Sequence, residues 1–66
     1  MDSKLIGKVL RELRGDRSQT EVADAVGVTA MSISLYESGE RIPRDEVKIA
    51  LAKYYGRSVE SIFYAD

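Results

Sequence analysis

The chain has 66 residues, ten Lys or Arg against eleven Asp or Glu, and a net charge of −1; such a length makes one small domain that buries only about 60% of its unfolded surface. It contains no cysteine and no histidine, which excludes disulfides and the usual nucleophile–base sets and leaves no metal site or cofactor to expect. With no phosphate-binding glycine loop, no membrane-length apolar run and no signal-peptide core, the expectation is a cytoplasmic, non-enzymatic protein, residues 1–66 forming a single domain.

Ser3 is placed to cap a first helix over about Lys4 to Arg14, where Ile6, Val9, Leu10 and Leu13 follow the helical i, i+3, i+4, i+7 rule and Gly15 supplies a left-handed stop. Ser18 with Glu21 is a capping box and opens a second helix with Val22, Ala23 and Val26 on one face, ending at Gly27. Thr29 caps the third helix, whose Ile33 and Tyr36 point inward beside Val28. Gly39 ends it, and Pro43 enforces extended geometry in the loop before a fourth helix. That helix starts with Asp45 and Glu46 at its positive end, buries Val47, Ala50, Leu51 and Tyr54, and stops at Gly56. Ser58 caps a last short helix carrying Val59, Ile62 and Phe63. The fold class is therefore all-α, a compact five-helix arrangement.

The stretch from Ser18 to Gly39 joins two short amphipathic helices through a turn containing one glycine. A protein needs that arrangement to lay one helix across a DNA backbone and push the next into the major groove. The acidic net charge means that any DNA affinity must come from local clusters of Arg and Lys.

Ser18 and Gln19 opening helix two, Ala23 within it, Gly27-Val28-Thr29 at the turn, then Ile33, Ser34, Glu37, Gly39 and Pro43, closely resemble the helix-turn-helix of the phage Cro and repressor family. The first helix, with Gly7, Leu10, Arg11, Leu13 and Arg14, and the terminal LAKYYGRSVESIF extend the resemblance over nearly the whole chain. It implies a lambda-repressor-like five-helix domain with the helix-turn-helix at helices 2 and 3. Three departures stand out: a shorter connection between helices one and two, Arg17 where an apolar residue normally precedes the Ser-Gln pair, and Lys48 at a usually apolar position.

By this resemblance Gln19, with Ser18, contacts the DNA backbone at the helix-two N-terminus, where N–H groups and the helix dipole favour phosphate. Arg17, Thr29, Ser38, Arg41 and Arg44 complete the phosphate set. Ala30, Met31, Ser32 and Leu35 form the base-reading face. That face lacks arginine, so apolar contact with thymine methyl groups carries recognition. An adaptable protein-binding patch and partial burial in the core are the alternatives for Met31 and Leu35. The family pairing of a helix-one arginine with the glutamate ending helix three falls on Arg14 and Glu37.

Four of the five aromatic residues lie in the C-terminal quarter. Tyr55, Phe63 and Tyr64 form the expected homodimer interface, since polar-tipped aromatics favour interfaces. A twofold dimer on this end would present two recognition helices about 34 Å apart to a palindromic operator. The reading is a small Cro-like repressor binding double-stranded operator DNA. Its alternatives are a protein-interaction module on the same scaffold or an antitoxin-type autorepressor.

Overall fold

The computed structural model describes residues 2–64 and is all-helical over them, with α1 Ser3–Arg14, α2 Gln19–Val26, α3 Ala30–Ser38, α4 Asp45–Tyr55 and α5 Val59–Phe63. Of the 1–66 span read as one domain, the first residue and the last two lie outside the described part.

Each boundary follows from local hydrogen-bond chemistry. Ser18, Thr29 and Ser58 each turn a side-chain oxygen onto the N–H of the residue three positions on, at 3.0 to 3.1 Å, satisfying a donor that the helix itself leaves open. The first cap differs from expectation. Asp2, not Ser3, holds the capping conformation, and its carboxylate accepts from Lys4 N at 3.0 Å. Both residues are good caps, and the charged one gains more from the positive helix end. Gly27 takes the left-handed conformation, φ 79 and ψ 32, that lets α2 stop and α3 begin within a few residues. Gly15 also has positive φ but ψ −127, so α1 ends without the expected left-handed stop.

The core consists of Ile6, Leu10, Val22, Ala23, Ile33, Tyr36, Leu51, Ala52, Ile62 and Phe63. Burying a side chain such as Leu51 or Phe63 is worth about 1.5 to 3 kcal/mol, which gives even the five-residue α5 a firm anchor. Helix α1 packs most extensively on α3, and α2 on α3 and α4, while α5 bridges α4 and α1. The inward face of α4 is rotated from the expected one: Ala52 is buried, whereas Ala50 is only half-buried. Lys48 explains the rotation. Its side chain is only 13% exposed; Nζ donates to the Tyr64 hydroxyl at 2.8 Å and lies 4.8 Å from that ring's centroid. The stem thus packs as an apolar residue while the ammonium keeps a partner.

The α1–α3 crossing is unusually close. Gly7 is pressed against the backbone of Tyr36 and Glu37, and Gly39 against Lys4. Among the described residues no helix is long and apolar enough to cross a membrane.

Candidate nucleic-acid interface

The outer side of α3 follows from its helical phase. With Ile33 and Tyr36 buried, the positions left outward are Met31, Ser34, Leu35 and Ser38, an i, i+3, i+4, i+7 row. Met31 is 73% exposed. Ser34 is fully on this face and was absent from the expected base-reading set; its spacing from Met31 is the signal that would have found it. Ala30, expected on this face, is half-buried. It packs against the core beside the turn, so its methyl group also serves the fold. Ser32 and Leu35 are half-buried at the edges of the face.

The turn residues are bound to one another. Thr29 Oγ1 accepts from Ser32 N at 3.1 Å and donates to Ser32 Oγ at 3.0 Å, leaving the Ser32 hydroxyl proton free to reach outward. Ser38 is less available than expected. Its single hydroxyl proton lies between the Leu35 carbonyl at 3.1 Å and the Glu40 carboxylate at 2.8 Å. Arg41 and Arg44 are exposed and line, with Thr29 and Ser32, a groove of about 540 Å³ between the turn and the start of α4. The groove brings the Thr29 and Ser32 hydroxyls near the Arg41 and Arg44 guanidinium groups, donors that can serve an anion, with the Glu46 carboxylate also on its lining.

Behind α3, three helices meet on one carboxylate. Glu37, whose side chain is 5% exposed, accepts from Arg14 Nε at 2.7 Å, Arg14 Nη2 at 3.1 Å and Gln19 Nε2 at 3.1 Å. Arg14 Nη1 donates onward to the Arg17 carbonyl at 2.7 Å. The two-pronged bond to Glu37 holds the Arg14 pKa above its ordinary value. Gln19 therefore stands at the first turn of α2, as expected, but with its amide turned inward to Glu37.

Arg17, expected as a phosphate contact, is exposed and also has partners within the fold. Its guanidinium lies 5.3 Å from the Tyr54 ring centroid and 5.6 Å from that of Tyr55, and Nη1 donates to the Leu13 carbonyl at 3.3 Å. The two tyrosines meet edge-on, with centroids 5.2 Å apart. Without the usual apolar residue at this turn, the planar cation packs on aromatic faces instead.

That arrangement also revises the expected interface aromatics. Phe63 is 2% exposed and belongs wholly to the core, so it cannot face a second chain. Tyr55 is half-buried beside Arg17, whereas Tyr64 is 57% exposed beside Lys48; the two belong to separate clusters.

Burial, reinforced by the Glu37 charge and opposed by Arg17, pushes the Tyr55 phenol up to about 12 from its ordinary 10.0. Below pH 10 the phenol is neutral in both folded and unfolded chains, and its contribution to stability is complete. Between about pH 10 and 12 the unfolded chain ionises first, so stability falls as pH rises. We expect the thermal midpoint to drop between about pH 10 and 12, and Tyr55→Phe to flatten that drop. An equal alkaline loss in Tyr55→Phe would show that other groups cause it.

Comparison with known proteins gives the same arrangement a context. A helix-turn-helix family model matches residues 8–62. No curated protein matches. Among solved structures, the chain is similar to the P22 c2 repressor protein, determined in complex with synthetic operator 9T in the presence of Tl+. Identity is 30%, the match covers 94% of this chain and 97% of that one, and the TM-score is 0.89. It is also similar to the clp gene regulator ClgR from C. glutamicum, at 25% identity over 94% of this chain and 83% of that one, with a TM-score of 0.79.

Proposed function

The chain belongs to the Cro- and repressor-type helix-turn-helix family, and from that premise we propose that it is a sequence-specific DNA-binding transcriptional regulator, acting as a small repressor. The observation that carries this reading is the exposed α3 row flanked by the Arg41–Arg44 groove. A helix seated in the major groove with cations beside it on the phosphates would use both surfaces together.

In this reading Met31 and Leu35 meet thymine methyl groups, and Ser32 and Ser34 supply hydroxyls to base edges or phosphates. The α2 N-terminus, with Ser18 and Gln19, receives one phosphate through backbone N–H groups and the helix dipole. Thr29, Ser38, Arg41 and Arg44 hold others, and Ser38 must release Glu40 to do so. Arg17, exposed beside the tyrosine pair, is a further phosphate contact in this reading.

The protein acts as a homodimer on a palindromic operator, with exposed Tyr64 as its interface residue. Sedimentation of the wild type and Tyr64→Ala checks this part. A wild type that stays monomeric when saturated with operator would refute it.

Sequences selected from a random duplex pool, followed by anisotropy titrations over a salt series, test the whole reading. Arg41→Gln and Arg44→Gln should each weaken binding on every sequence and reduce the salt slope by about 0.9. Met31→Ala should instead change which sequences are selected and leave the slope alone. A folded wild type that binds no duplex even at low salt would sink the proposal. The strong exposure of Met31 favours a protein-binding face in that event.

A further inference from the structure

Helix α1 is the most positive element of an otherwise acidic protein, with Lys4, Lys8, Arg11 and Arg14 against Glu12 alone. Arg14 is neutralised by Glu37. Lys4, Lys8 and Arg11 are exposed, and among the described residues none of them has a carboxylate within ion-pair distance. A chain of net charge −1 has no reason of solubility to concentrate unpaired cations on one helix.

Their position supplies a reason. Gly7 marks the side of α1 pressed on α3, and Lys4 and Arg11, three residues before it and four after, lie on that same side. The Lys4 backbone and Cγ sit against Gly39, at the end of α3 where the chain enters the loop to Arg41 and Arg44. At the other end of the row, Arg14 reaches Glu37 and, through it, Gln19 at the start of α2. The row therefore connects the two places already assigned to phosphates, and the Glu37 charge between them is cancelled by Arg14.

We propose that Lys4 and Arg11, supported by Lys8, form a further DNA-backbone site that binds duplex phosphates continuous with those held by the Arg41–Arg44 loop. The proposal rests on the DNA-binding reading above. It assigns to α1 a share of the affinity that the acidic composition withholds and α3 lacks the charge to supply. Lysine and arginine at these positions act on phosphate only, so the site strengthens binding equally on all sequences.

The test compares two doubly neutralised proteins by anisotropy over a salt series on one duplex. Lys4→Gln/Arg11→Gln removes two charges from the row. Lys53→Gln/Arg57→Gln removes two exposed charges from the last turn of α4 and the turn that follows it, and glutamine keeps helix propensity at the helical positions 4, 11 and 53. Thermal melts check that each is folded. The first should lower the salt slope by about 1.8 and weaken binding about 60-fold at 0.1 M salt, on the counterion-release relation for two contacts. The second should keep the wild-type slope, as should Arg11→Lys. Equal slopes for the two double variants, or a wild-type slope in the first, would overturn the α1 site while leaving the DNA reading intact. A wild type that binds no duplex at the lowest salt would remove both.

Discussion

Replacing Gly7 by alanine is expected to lower the thermal midpoint by about 8 °C or more, although the change installs the best helix-forming residue in the middle of a helix. Propensity alone predicts a gain of about 0.8 to 1.0 kcal/mol. Packing opposes it. A Cβ at this position would fall on the Glu37 carbonyl oxygen and within 2.8 Å of the Tyr36 carbonyl oxygen. Both obstacles are backbone, so no rotamer change clears them, and α1 must move away from α3 along their largest shared interface. Overpacking commonly costs about 1 to 3 kcal/mol and sometimes more, and a rigid backbone contact belongs at the upper end. At about 4 to 8 °C per kcal/mol for a domain of this size, the roughly 2 kcal/mol left after the propensity gain gives the stated drop. Circular dichroism melts of Gly7→Ala beside Lys8→Ala, an exposed neighbour, separate packing from propensity. A midpoint at or above wild type would show that the two helices separate there at little cost.

Gly7 also shows where reading the chain alone reaches its limit. The caps at Ser18, Thr29 and Ser58 and the stops at Gly27, Gly39 and Gly56 were legible, because each depends on a side chain and a backbone group a few residues apart. The five helices follow from them. What depends on distant residues was not legible. A glycine inside α1 looks like a weak point until α3 is laid across it. Lys48 breaks the apolar face of α4 until Tyr64 closes over it. Arg17 stacks on Tyr54 and Tyr55, rings far along the chain that nothing local announces. The outer face of α3 was half legible: its helical phase places Met31 and Leu35, and Ser34 with them by the same spacing, whereas the packing of Ala30 depends on how the turn seats against the core.

Glu37→Ala is expected to cost about 3 to 5 kcal/mol, the range for removing one partner of a buried ion pair. The Glu37 carboxylate is the only group that α1, α2 and α3 share through side-chain hydrogen bonds among the described residues. Its loss strands the Arg14 guanidinium, 14% exposed, and an arginine cannot escape by giving up its proton. The Gln19 amide loses its partner as well. Removing both charges should be milder, because an apolar pair of similar size no longer carries an unpaired cation. Arg14→Met/Glu37→Leu should therefore be more stable than Glu37→Ala, with a clear coupling in the double-mutant cycle. The functional readout goes the other way. Leucine cannot orient Gln19, so the apolar pair should recover stability and still bind duplex more weakly than wild type, with the salt slope of the Arg41 and Arg44 contacts retained. Denaturant titration of the single and double variants, followed by operator titration of the apolar pair, measures both. Additive stability losses would mean that Arg14 and Glu37 act independently, and wild-type DNA affinity in the apolar pair would mean that α2 is set on the backbone without them.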